Sequence, residues 1–133
     1  MRLLAVDLGD KRTGLATGDT TTTTCFPLEV LHIQRGDALI KAVANASREQ
    51  GADAIVLGLP LNMDGTEGPR AVLTREFGAC MAEATDLPVH YIDERLTSYE
   101  AEHRLRGQRH GPESDALAAL ILLEEFMSGM ADS

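Results

Sequence analysis

The chain has 133 residues, 44% of them hydrophobic, and its 21 acidic side chains outnumber the 12 Lys and Arg residues, for a net charge of −9. This length predicts a single domain over residues 1–133, and the hydrophobic share excludes wholesale disorder. The longest apolar run, at 116–123, falls well short of the roughly 20 residues of a membrane span, and the N-terminal segment lacks the pattern of a signal peptide, so we expect a cytoplasmic protein with no membrane partner.

The first part of the chain predicts three strands that open a sheet. The first is short, apolar and bounded by glycine, as is typical of a buried strand. The loop from Asp10 to Gly14 then leads into a second strand as the other arm of a hairpin. Pro27 restricts the third strand to an edge or an entry position, because proline cannot donate a hydrogen bond to a neighbouring strand. These predicted strands cover 2–9, 14–21 and 21–33.

The rest of the chain alternates between helices and strands. Gly51 is a stop signal, Pro69 suits a first helical turn, Thr97 and Glu100 have capping-box spacing, and Ser114 is a candidate N-cap. A hairpin followed by this alternation predicts an α/β fold, a mixed sheet with helices on both faces. The predicted helices cover 36–51, 69–85, 97–107 and 114–129, and the predicted strands cover 53–60 and 87–94.

Three of these elements begin or end at a carboxylate. Asp7 ends the first strand, Asp93 and Glu94 end the last strand, and Asp115 lies in the first turn of the last helix. Each acid alone could be a turn or helix-capping residue. However, ligands of open α/β sheets gather beyond the carboxyl ends of strands, and convergent carboxylates repel each other unless a cation lies between them. Oxygen-only ligands suit Mg²⁺ or Mn²⁺, which catalyse phosphodiester cleavage.

Positive charge is concentrated in two short stretches of this acidic chain. Half of the Lys and Arg residues lie there, namely Lys11, Arg12, Arg95, Arg104, Arg106 and Arg109. The net negative charge argues against nonspecific nucleic-acid binding, but one basic face could still contact phosphates. With two Tyr, three Phe and no Trp, the composition argues against a base-stacking platform, so recognition is expected to follow backbone shape.

The glycines of the segment GLPLNMDGTEGPRA have two interpretations. They could simply shape a turn. Alternatively, they could let backbone N–H groups approach a phosphate, with Asn62 and Thr66 donating hydrogen bonds and Arg70 facing a phosphate near the start of the next helix.

Four segments resemble, in order and spacing, the signature blocks of the YqgF (RuvX-type) family: VDLGDKRTGLATGD, VLGLPLNMDGTEGPRA, DERLTSYEAE and SDALAALILLEEF. The resemblance spans residues 2 to about 127. It implies a ribonuclease H-like fold with a mixed five-stranded sheet. It also implies a metal-dependent nuclease that processes the 5′ end of pre-16S rRNA during ribosome biogenesis, or a Holliday junction resolvase that acts on DNA.

The resemblance also implies a set of site residues. The family's acids fall on Asp7, Glu94 and Asp115, as catalytic residues and ligands of Mg²⁺ or Mn²⁺, with Asp93 as an alternative to Glu94. With the charge pattern, the expected nucleic-acid contacts are Lys11, Arg12, Asn62, Thr66, Arg70, Arg95, Thr97, Arg104, Arg106 and Arg109. The expected partner is precursor rRNA more than a DNA junction, together with ribosomal particles, and the expected state is a monomer or weak homodimer.

Two other functions stay open. A noncatalytic ribosome-assembly factor could bind RNA through the same surface. An ATP-using phosphotransferase could share the DLG loop, but it needs a second phosphate loop and an adenosine pocket, for which we expect no room in 133 residues.

Overall fold

The computed structural model describes residues 1–95 and 113–131, with side chains of the last helix described from 116 to 130. These residues form five strands and three helices. The strands are β1 (Arg2–Asp7), β2 (Thr13–Asp19), β3 (Thr24–Leu31), β4 (Ala54–Leu59) and β5 (Val89–Asp93). The helices are α1 (Asp37–Glu49), α2 (Pro69–Thr85) and α3 (Glu113–Ala131).

The elements predicted within these residues are present, with ends that differ by a few positions. Because α3 begins at Glu113, Ser114 lies inside the helix, and its prediction as the N-cap is wrong. The helix predicted over 97–107 lies outside the described residues.

The sheet is mixed, with strand order β3-β2-β1-β4-β5. β1, β2 and β3 pair antiparallel, whereas β1, β4 and β5 run parallel. Pro27 lies on β3, at the edge of the sheet, where the missing N–H does not interrupt a second ladder. Both the mixed sheet and the edge position of Pro27 confirm the predictions made from the sequence.

Helices cover both faces of the sheet, as predicted. Leu4 and Val6 of β1 belong to one core with residues of α1 and α2, whereas Leu3 and Ala5 belong to a second core with residues of α3. Since successive strand residues point to opposite faces, Asp7 follows Leu3 and Ala5 onto the face covered by α3.

Helix α3 runs antiparallel to β1. A methyl group at Gly18 would lie 3.3 Å from Met127 Sδ, and one at Gly58 would lie 2.8 Å from Leu122 Cδ1, more than one helical turn earlier. Gly18 pairs with Leu3 near the start of β1, whereas Gly58 follows the residue that pairs with Val6 near its end. The N-terminus of α3 therefore points beyond the carboxyl end of β1. No helix within residues 1–95 and 113–131 is long and apolar enough to cross a membrane.

Candidate functional site

Asp7 lies at the carboxyl end of a central strand. It is half-buried and pairs with Gly14 of β2, and the parallel register of β1 with β4 brings it beside Gly58. The flanking residues of β1 and β4 are apolar and buried, which fixes both strands and hence the position of this carboxylate. Asp7 is thus placed at the edge where parallel strands present ligand-binding side chains.

Glu94 reaches back over the neighbouring strand from the end of β5. Its backbone N–H donates to the Leu59 carbonyl at 3.2 Å, and its Oε2 lies 2.7 Å from where a methyl group at Gly58 would be. Because paired strands lie about 4.8 Å apart, this oxygen lies roughly one strand spacing from the Asp7 backbone. Gly58 contributes no side chain here, which makes room for the Glu94 carboxylate and for Leu122 of α3.

Asp93 and Glu94 have different surroundings although they are adjacent in the chain. Asp93 accepts hydrogen bonds from the Arg95 guanidinium, Nη2 at 2.7 Å and Nε at 2.9 Å, and from the Arg95 backbone N–H at 3.0 Å. Glu94 instead packs over Gly58 on the face that carries Asp7. Of the two alternatives left by the sequence, the geometry favours Glu94 as the partner of Asp7.

The pKa values of the two acids shift in opposite directions. Burial raises the pKa of Glu94; Arg70 opposes this rise and the charge of Asp93 adds to it. Hydrogen bonds from the Arg95 side chain hold the pKa of Asp93 below its ordinary value. A nearby cation offsets the free-energy cost of ionising a buried carboxylate. A bound metal ion would therefore stabilise the charged form of Glu94.

The third predicted acid comes from α3. Asp115 is the third residue of this helix and lies seven residues before Leu122, which contacts Gly58. At 1.5 Å per residue its backbone lies about 10 Å farther along the axis, beyond the carboxyl ends of the strands. Its side chain is outside the part of α3 whose side chains are described, and among the described side chains no three His, Cys, Asp or Glu form a group that could hold a metal ion.

The donor set nevertheless fits a hard divalent cation. Asp7 and Glu94 offer only carboxylate oxygens, the ligands preferred by Mg²⁺ and Mn²⁺. Because Gly58 has no side chain, the Glu94 carboxylate can lie over the strand next to Asp7, with Leu122 of α3 packed at the same position. A third carboxylate from the α3 N-terminus would complete a set contributed by three elements far apart in the chain.

The loop between β4 and α2, residues 60–68, is held by its own hydrogen bonds and is called the β4–α2 loop below. The Asn62 and Gly65 N–H groups donate to the Thr66 and Asn62 carbonyls at 2.8 and 2.9 Å. The Thr66 hydroxyl donates to Asp64 at 2.6 Å, and the Asn62 amide donates to Thr66 Oγ1 at 3.0 Å. Because these donors are used inside the loop, the geometry favours the turn-shaping interpretation of its glycines over direct phosphate binding by Asn62 and Thr66.

The cations predicted to bind phosphate fall into three groups. Lys11 and Arg12 are exposed in the loop that follows Asp7, which an ion pair between Asp10 and Arg35 fastens to the chain beyond β3. Arg70, at the start of α2, lies close enough to Glu94 to act on its pKa. Arg95 is bonded to Asp93 and, through Nη1, to the Met63 carbonyl at 3.1 Å. The remaining predicted contacts lie outside the described residues: Thr97, Arg104, Arg106 and Arg109.

Sequence reasoning missed Gly58 and the pairing of Arg95. A glycine inside an otherwise continuous apolar strand is a signal of close approach by another group, and Gly58 carries that signal. The contact between Arg95 and Met63 joins residues 32 positions apart, and no local sequence pattern predicts it.

Comparisons with known proteins match nearly the whole chain. The model of the RuvX family, described as Holliday junction resolvase, matches residues 1–129. A protein of Anaeromyxobacter sp. (strain Fw109-5) named "Putative pre-16S rRNA nuclease" is 41% identical over 97% of this chain and 98% of its own length. A protein of the same name from Pelotomaculum thermopropionicum is 38% identical, over 96% of this chain and 86% of its own length.

Solved structures share the fold. Thermus thermophilus RuvC superposes with a TM-score of 0.62 at 15% identity, over 98% of this chain and 97% of that one. The fowlpox virus Holliday junction resolvase superposes with a TM-score of 0.63 at 13% identity, over 97% of this chain and 99% of that one. These neighbours confirm the predicted ribonuclease H-like fold.

Proposed function

The chain belongs to the RuvX family and is a nuclease, and we propose that it cuts the precursor of 16S rRNA with a divalent metal ion held by Asp7, Glu94 and Asp115. One observation carries the proposal. Asp7 and Glu94 lie on the same face of the sheet on either side of Gly58, and the N-terminus of α3 points to the same edge. Carboxylates brought together in this way favour a cation between them.

The chain's own residues have distinct parts in this reaction. Asp7, Glu94 and Asp115 would hold Mg²⁺ or Mn²⁺, which would supply the Lewis-acid chemistry for hydrolysis of the phosphodiester. Lys11, Arg12 and Arg70 would neutralise phosphates on either side of the cut, and Thr97, Arg104, Arg106 and Arg109 would contact the substrate farther out.

The relatives' names favour RNA over DNA as the substrate. Proteins about 40% identical to this chain carry a name that specifies pre-16S rRNA, whereas the solved resolvases share the fold at 13 to 15% identity. The scarcity of aromatic side chains supports recognition through backbone shape, which suits structured RNA. The proposal includes ribosomal particles as partners, the 5′ end as the cut position, a cytoplasmic location, and a monomer or weak homodimer.

The test is cleavage of a defined pre-16S rRNA fragment, with a four-way DNA junction beside it, by wild type and Asp7→Asn in Mg²⁺ or Mn²⁺. We expect wild type to cut the RNA and Asp7→Asn to lose activity by several orders of magnitude, because a metal ligand is lost. Asp86→Asn makes the same chemical change at the C-cap of α2, at the opposite end of the sheet, where a left-handed backbone (φ 59°) suits Asn as well as Asp. It should cut like wild type.

Each other outcome is informative. Equal rates for Asp7→Asn and wild type would remove Asp7 from the site. Cleavage of the junction alone would replace the rRNA substrate with DNA, and binding without cleavage in any divalent metal would favour the assembly-factor alternative.

A further inference from the structure

The backbone that carries Glu94 is enclosed by a ring of hydrogen bonds between its two neighbours. The Asp93 carboxylate accepts the Arg95 backbone N–H at 3.0 Å and, through both of its oxygens, the Arg95 guanidinium. Residues 93 and 95 are thereby fixed to each other across residue 94. The direction in which Glu94 leaves the chain depends on this ring.

The same guanidinium also reaches the β4–α2 loop. Arg95 Nη1 donates to the Met63 carbonyl at 3.1 Å and lies within 3.4 Å of the Asn62 carbonyl. The far end of the loop is fixed by Arg75, which binds Glu67 through Nε at 2.6 Å and Nη2 at 2.9 Å and lies 4.9 Å from the centre of the Tyr91 ring. Arginines at both ends therefore fasten the loop to β5.

Charge argues against phosphate as the main partner of Arg95. Asp93 and Asp64 both stabilise the guanidinium charge and raise the Arg95 pKa. A phosphate would have to compete with a bidentate carboxylate that is already in place. The Arg95 and Asp93 side chains are 36% and 38% exposed, so this ion pair contributes only modestly to stability.

We propose that Arg95 is a positioning residue, which holds Glu94 over Gly58 and closes the β4–α2 loop against β5, and that it does not contact the phosphate backbone. Asp93 has the same positioning role, since its carboxylate orients the Arg95 guanidinium. The proposal rests on the nuclease function argued above, in which Glu94 holds the metal ion.

The two roles of Arg95 predict opposite effects for Asp93→Asn. Under the positioning role, Arg95→Ala, Arg95→Lys and Asp93→Asn each lower kcat by about 10- to 100-fold, since small displacements of a reacting group are that costly, while KM stays near the wild-type value. Lys does not rescue, because one ammonium cannot reproduce a fork that spans a carboxylate and a carbonyl. Under the phosphate role, Lys preserves RNA affinity, and Asp93→Asn strengthens it by freeing the cation.

The salt dependence of RNA binding separates the roles again. A lost phosphate contact lowers the slope of log K against log salt by about 0.7 to 0.9. Loss of the contacts that Arg95 makes with Asp93 and the β4–α2 loop, called the Arg95 clamp below, leaves the slope unchanged. Arg48→Ala is the matched control, since Arg48 lies on α1 and bonds only locally to Asn45 among the contacts of the described residues. It should leave kcat unchanged.

Amide hydrogen exchange tests the Arg95 clamp without any substrate cleavage, so it applies even if the nuclease proposal fails. In amide hydrogen exchange without metal, the Asn62 and Gly65 N–H groups should exchange faster in Arg95→Ala and in Asp93→Asn than in wild type and Arg48→Ala. Unchanged exchange at these amides, or a salt slope lowered by Arg95→Ala, overturns the proposal. An inactive wild type with accelerated exchange in both variants would instead retain the clamp and reject the cleavage mechanism.

Discussion

At the scale of single residues, the site depends on two adjacent acids that the fold treats differently. Asp93 is paired with Arg95 in half-exposed surroundings, whereas Glu94 is packed over Gly58 beneath Leu122. The pKa of Asp93 is lowered by its guanidinium partner, and that of Glu94 is raised by burial. Ionisation of the carboxyl group therefore stabilises the fold at Asp93 and destabilises it at Glu94.

The first prediction follows from these opposite shifts. Above the ordinary Glu pKa of about 4.3, the unfolded chain releases the Glu94 proton more readily than the folded chain, so ionisation of Glu94 lowers the free energy of unfolding as pH rises. Glu94→Gln should therefore be more stable than wild type at about pH 7 without metal, and the gain should vanish at about pH 3. Addition of Mn²⁺ should stabilise wild type more than the variant.

Asp93→Asn is the matched variant with the opposite sign. The lowered pKa of Asp93 contributes stability that is present above the ordinary Asp pKa of about 3.9 and is lost as pH falls through the folded-state value. This variant should be less stable than wild type at about pH 7 and equal to it at low pH. Urea unfolding midpoints in a chelator measure both effects, and a Glu94→Gln protein that is destabilised at neutral pH would contradict the assignment.

At the scale of elements, the site depends on how closely α3 approaches β4. Every residue of β4 is buried, and Gly58 is the position where Leu122 of α3 and the Glu94 side chain meet the strand. The absence of a side chain at Gly58 lets the helix and the carboxylate share one narrow space. The packing of α3 and the placement of Glu94, the proposed metal ligand, are thus set at one position.

The second prediction is that Gly58→Ala damages both properties. Its methyl group would lie 2.7 Å from Glu94 Oε2 and 2.8 Å from Leu122 Cδ1, so the acid, the helix or both must move. We expect a loss of about 1 to 3 kcal/mol in the free energy of unfolding, as is usual for overpacking, together with weaker Mn²⁺ binding. Denaturant titration and calorimetry measure the two effects.

Gly129→Ala is the control for this substitution. Gly129 lies in α3, and a methyl group there would meet nothing within 4 Å. The change should leave metal binding intact and stabilise the helix by up to about 1 kcal/mol, since Ala is the better helix former. If Gly58→Ala matches Gly129→Ala in both stability and Mn²⁺ binding, the close approach at Gly58 is not required for either property.

At the scale of the whole molecule, an acidic chain must bind an acidic polymer. The net charge of −9 repels nucleic acid from most of the surface, so the exposed cations beside the site have to supply the attraction. Lys11 and Arg12 lie next to Asp7, and Arg70 lies near Glu94. This charge distribution favours approach of a phosphate backbone at the carboxyl ends of the strands.

The third prediction concerns the basic stretch before α3, which lies outside the described residues. Replacing Arg106 and Arg109 with Ala should lower the slope of log K against log salt for RNA binding by about 0.7 to 0.9 for each lost phosphate contact. Fluorescence anisotropy over a salt series measures this slope. Arg48→Ala removes one positive charge from α1, on the opposite face, and should leave the slope unchanged. An unchanged slope in the double variant would place the binding surface elsewhere.

Much of the architecture follows from the sequence by itself, because it depends on local patterns. Apolar runs, turn glycines and Pro69 predict the strands and helices, and the missing N–H of Pro27 predicts an edge strand. The all-round apolar character of 116–123 predicts a helix embedded against the sheet. The acids at the ends of β1, β5 and the start of α3 were also visible in the sequence, since chain order and parallel pairing bring such ends to one edge.

Only the tertiary structure decided which of these groups belong together. The choice between Asp93 and Glu94 depends on which face of the sheet each occupies and on the missing side chain at Gly58, which β4 supplies from a distant part of the chain. The partner of Arg95 depends on the β4–α2 loop, 32 residues earlier. Local sequence patterns reflect the conformational preferences of short segments. These contacts instead form between distant segments, which only the packed sheet brings within hydrogen-bond distance.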